Sequence, residues 1–79
     1  MRRKTPKIVV SFATTSDAMA VEAKARETGL PGRMIPVPSA VSAGCGLAWC
    51  TEADDRALLE EALVAYGLAF AGLHEVELY

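Results

Sequence analysis

Large rings are scarce in this sequence: one Trp, two Tyr and two Phe among 79 residues. Hydrophobic types reach 52%, but 14 of the 79 positions are alanine, so the apolar count overstates the volume available for a core. A chain of this length buries about 60% of its unfolded surface, enough for one domain and too little for a deep substrate pocket. That argues against an elaborate enzyme. No apolar run reaches the roughly 18 residues that cross a bilayer. Basic residues are not in excess either: eight Lys+Arg against ten Asp+Glu give a net charge of −2, which argues against a nucleic-acid binder. Histidine occurs once and cysteine twice, short of the about four ligands of a zinc site, so neither metal nor cofactor is expected.

What is present reads as one folded unit. The charged fraction of 23% and mean hydropathy of +0.24 exclude intrinsic disorder. Arg2, Arg3 and Lys4 form the one basic cluster, so residues 1–6 are expected to be a flexible arm and 7–79 a single domain. No apolar segment follows the cluster to serve as a signal core, and two cysteines without one point to a reducing, cytoplasmic setting.

Lys7 to Ala13 is apolar on both parities, as in a central strand. Thr14, Thr15 and Ser16 then offer N-cap hydroxyls, and Asp17 suits the positive end of a helix dipole. That helix is predicted to reach Thr28 with Ala18, Val21 and Ala25 inward, stopped by Gly29 and Pro31. A second strand, Gly32 to Val37, carries Pro36 and precedes Pro38, which assigns it to a sheet edge. A loop from Pro38 to Gly46 leads into a strand from Leu47 to Cys50, where Trp49 shares its parity with Leu47 and is read as core rather than a binding platform. Thr51 is predicted to cap a second helix, with Glu52, Asp54 and Asp55 loading its first turn and Leu58, Leu59, Ala62, Leu63 and Tyr66 as its apolar stripe. Leu73 to Tyr79 alternates as a strand covered on one side. The order β-α-β-β-α-β predicts an α+β, ferredoxin-like split βαβ sandwich: a four-stranded antiparallel sheet with two helices on one face and the second and fourth strands at its edges.

The nine-residue loop 38–46 is longer than a hairpin needs. In it Gly44 and Gly46 flank Cys45 and thin out the side chains around its sulfur. In this topology the loop lies at the end of the sheet where the first helix begins. The dipole and N–H groups near Thr15 and Ser16 are thus expected to lower the Cys45 pKa and favour the nucleophilic thiolate. The opposing reading, a small packed Cys in a glycine turn, stays open on local sequence alone. Cys50, five positions on along a strand, is too far for a disulfide and reads as a packed residue or, if the loop moves, a resolving thiol. His74, at the same sheet end, would have to reach across a strand to act as a base for Cys45.

The strings Gly32-Arg33-Met34-Ile35-Pro36-Val37-Pro38 and Ser42-Ala43-Gly44-Cys45-Gly46-Leu47-Ala48 resemble a family of small prokaryotic proteins described as selenium/sulfur (Se/S) carrier protein-like, over nearly the whole length. The resemblance places the motif cysteine on Cys45, its glycines on Gly44 and Gly46, and the preceding hydroxyl on Ser42. Arg33 and Pro36 match the strand before the loop. It implies a carrier that takes sulfur or selenium from a donor such as a cysteine desulfurase and passes it to an acceptor protein, with Arg33 assisting docking. Cys50 and the basic arm fall outside the pattern. The alternative is a non-catalytic ferredoxin-like module that binds a ligand or homodimerises through its open sheet face, with a purely structural cysteine. A redox sensor pairing Cys45 with Cys50 is a third.

Overall fold

The computed structural model describes residues 3–39, 41 and 45–78. Strand β1 (Thr5–Ser11) leads into helix α1 (Thr15–Thr28), followed by β2 (Arg33–Pro36), β3 (Leu47–Glu52), a single 3-10 turn (Ala53–Asp55), helix α2 (Arg56–Ala65) and β4 (Gly72–Leu78). The four strands form one antiparallel sheet in the order β2-β3-β1-β4. This is the ferredoxin-like arrangement, with β2 and β4 at the edges as the prolines and the crossover rule require. The Val37 N–H turns inward to the Gly46 carbonyl at 2.9 Å. Its neighbours Pro36 and Pro38 therefore stand where the chain needs no inward donor.

Strand β1 runs through the centre. Ile8, Val10 and Phe12 point to the helices and join Trp49, Leu59 and Leu63 in the main core, with Ala18, Val21 and Ala25 of α1 above them. Val9 points the other way, into a second cluster with Val41, Ala48 and Cys50, rimmed by Ile35, Val37, Val76 and Leu78. No helix residue joins that second cluster, so it lies on the face the helices leave open. The apolar side of β4 thus packs on the open face, while Glu75 and Glu77 are exposed on the helix side.

Helix α1 matches its pattern. Thr14 is the N-cap, its hydroxyl accepting from the Asp17 N–H at 3.1 Å, and Gly29 ends the helix at φ +76°. Two expectations about the second helix are corrected. Thr51 is not its cap: β3 continues to Glu52, with Thr51 opposite Ile8 and Glu52 opposite Lys7. Once the ladder holds Thr51, the chain turns through Ala53–Asp55 and α2 begins at Arg56 without a side-chain cap. The buried stripe is Leu59, Ala62 and Leu63, whereas Leu58 and Tyr66 are about half exposed. Leu58 and Tyr66 instead line a groove toward the C-terminal end of α1.

Candidate functional site

The two cysteines are both free thiols, and the sheet separates them. Cys45 follows the loop that leaves β2. It is half-buried and packs against the helix-side core, and its Sγ donates to the Leu47 carbonyl at 3.5 Å. Gly46 follows at φ +80°, with nothing among the described residues within 4 Å of where a Cβ would stand. The glycine thus serves the left-handed turn into β3. Ser42 and Gly44, the other residues of the motif, lie outside the described residues.

Cys50 belongs to the opposite face. It is 2% exposed among Val9, Ala48 and Val41. Burial pushes its thiol above the ordinary range, against the pull of Arg33 and Lys7. A protonated, enclosed sulfur is a packed residue rather than a nucleophile. Because the two sulfurs join clusters on opposite faces of the sheet, a Cys45–Cys50 disulfide has no direct path.

Strand register places the other candidates. Ser11 at the end of β1 pairs with Ala48, so the chain entering α1 leaves the sheet at the end where Cys45 and Gly46 enter β3. Thr15 and Ser16, both exposed, are the first two residues of α1 at this end. Arg33 pairs with Cys50, whereas Pro36 pairs with Leu47. The guanidinium therefore stands at the far end of the β2–β3 hairpin from Cys45. His74 is opposite Val9 on the open face, and its Nε2 lies 3.3 Å from the Ser11 hydroxyl. The structure does not bring it to Cys45. Trp49 is core, 4% exposed, with its indole N–H donating to the Pro31 carbonyl at 3.3 Å. Among the described residues no group of three His, Cys, Asp or Glu side chains is arranged to hold a metal. None of the helices there is long and apolar enough to cross a membrane.

Sequence reading missed two features of the open face. Val41, within the long loop, is 5% exposed and tucks into the cluster of Val9, Ala48 and Cys50. Its N–H donates to the Pro38 carbonyl at 2.9 Å. The loop that carries Cys45 is thereby pinned to the sheet. Lys7, 7% exposed, forms an ion pair with Glu52, a residue assigned above to a helix start. The signal for the pair was the β1–β3 register, which local pattern does not supply.

Compared with known proteins, residues 7–75 match the family model described as "Putative Se/S carrier protein-like". No curated protein and no solved structure matches the chain.

Proposed function

The chain belongs to the Se/S carrier protein-like family, and from that premise we propose that Cys45 is the atom that carries the chalcogen. The observation supporting this choice is the difference between the two thiols: Cys45 is half-buried beside a left-handed glycine turn, whereas Cys50 is enclosed. In the proposed step the Cys45 thiolate attacks the outer sulfur of a persulfide on a donor such as a cysteine desulfurase. A sulfur–sulfur bond forms at Cys45 as the donor's own sulfur–sulfur bond breaks, and the donor thiolate leaves. The sulfane sulfur already carries the oxidation level it needs, so no further oxidant enters. An acceptor nucleophile then takes the terminal sulfur and Cys45 departs as thiolate. Selenium in the terminal position follows the same accounting.

The start of α1 at this end of the sheet, with Thr15 and Ser16, is assigned the role of favouring the anion. Gly46, with Gly44 and Ser42 of the same motif, gives a partner access. Arg33, across the hairpin, is assigned to docking of a partner wide enough to span it. The chemistry requires a reducing compartment, as in the cytoplasm.

Incubation with a cysteine desulfurase and cysteine, followed by intact-mass measurement, tests the proposal. Wild type and Cys50→Ser are expected to gain the mass of one sulfur atom and Cys45→Ser to gain none. Absence of the gain in wild type with a competent donor overturns it. One contact favours a second reading: the Cys45 thiol donates to the Leu47 carbonyl, as a structural cysteine would. In that case the domain is a binding module, and Cys45→Ser leaves partner association intact while substitutions on the open sheet face abolish it.

A further inference from the structure

Helix α2 turns Leu59, Ala62 and Leu63 to the sheet and leaves apolar side chains outside as well. Leu58 is 50% exposed, Val64 83% and Tyr66 47%. A groove of about 270 Å³ separates this side of α2 from the C-terminal end of α1, lined by Leu30, Leu58, Ala62 and Tyr66 with Glu61 at its edge. Glu61 also borders a shallower depression over Ala57 and Val64, so the two hollows form one continuous surface.

Charge is concentrated along α2 and the turn before it, with Glu61 the carboxylate that lines the groove and Glu60 beside it in the depression. Residues 52–66 contain five of the ten acidic residues and one of the eight basic ones. Two of the five are already engaged, Glu52 with Lys7 and Glu60 with Arg56. Asp54, Asp55 and Glu61 have no ion-pair partner among the described residues. The C-terminal end of α1 adds the negative pole of its dipole to the groove wall. One cation already uses the rim: the Lys24 ammonium lies 4.9 Å from the Tyr66 ring centroid.

An apolar hollow with a negative rim is complemented by apolar side chains flanked by cations. A second copy of this chain does not fit, because a two-fold contact would set the acidic patch against itself. An anionic membrane is repelled for the same reason. We propose that the groove between α1 and α2 docks a partner protein presenting an apolar ridge bordered by lysine or arginine. The proposal is independent of the thiol chemistry at Cys45, and either can fail alone.

The test titrates isotope-labelled protein with a short amphipathic helical peptide of leucine and lysine, and with its counterpart carrying glutamate for lysine. Amide shifts are expected to concentrate in residues 28–31 and 57–66. Leu58→Ser and Glu61→Lys, both at exposed positions, are each expected to weaken binding about tenfold, the scale of a central interface side chain. The glutamate peptide should not bind. Equal binding of the two peptides, shifts centred elsewhere, or wild-type affinity in folded variants overturns the proposal. So does self-association of the protein alone, seen by sedimentation and abolished by Leu58→Ser.

Discussion

Burial raises the Cys50 thiol above the ordinary value of 9.0, Arg33 and Lys7 oppose the rise, and Glu52 adds to it. The fold therefore prefers the neutral thiol and holds its proton at pH values where the unfolded chain has released it. Stability from this preference is complete below 9.0 and is lost as pH climbs through the higher folded value. The urea midpoint of wild type is expected to fall more steeply above pH 9 than that of Cys50→Ala; parallel profiles would refute the assignment. The same scale explains Gly32. Its φ is +126°, and a Cβ there would meet the Trp49 indole nitrogen at 2.3 Å. A glycine within the family-like string thus secures close packing of the indole, not access to a thiol.

Thr51 is the instructive position among the elements. Read locally it caps a helix, and its loss would then cost about 1 kcal/mol. In the structure it is an interior β3 residue, 4% exposed, and its hydroxyl has no hydrogen-bond partner among the described residues. Valine keeps the shape and removes the orphaned hydroxyl. Thr51→Val is accordingly expected to stabilise the protein by about 1 kcal/mol, read as a higher denaturant midpoint. A loss of similar size would restore the capping role. The β2–β3 hairpin shows how an element allots its residues. Pro36 beside the loop keeps an edge strand from recruiting another chain, whereas Arg33 at the other end faces Cys50.

Across the whole molecule, the sheet divides two environments, and the loop 38–46 touches both. Val41 is pinned to the open face and Cys45 packs toward the helices, so packing on one side restrains a thiol on the other. Val41→Ala removes two methyl groups from a buried site and is expected to cost about 1.5 kcal/mol. It should also speed alkylation of Cys45 relative to wild type. Unchanged stability and an unchanged alkylation rate would show that the loop holds its place without Val41.

The order of elements, the edge position of β2 and the span of α1 were all legible in the sequence. They rest on local rules: proline cannot donate to a ladder, a threonine precedes a helix, a glycine follows one. Tertiary structure alone decided the fates of Thr51, Glu52, His74 and Val41. Each depends on its neighbours in the sheet: Ile8 opposite Thr51, Lys7 opposite Glu52, Val9 opposite His74 with the Ser11 hydroxyl beside its ring, and Val9, Ala48 and Cys50 around Val41. Such partners are far apart along the chain, and a local pattern of hydrophobicity cannot name them. Cross-strand register turned an apparent helix cap into a strand residue and gave the two cysteines opposite surroundings.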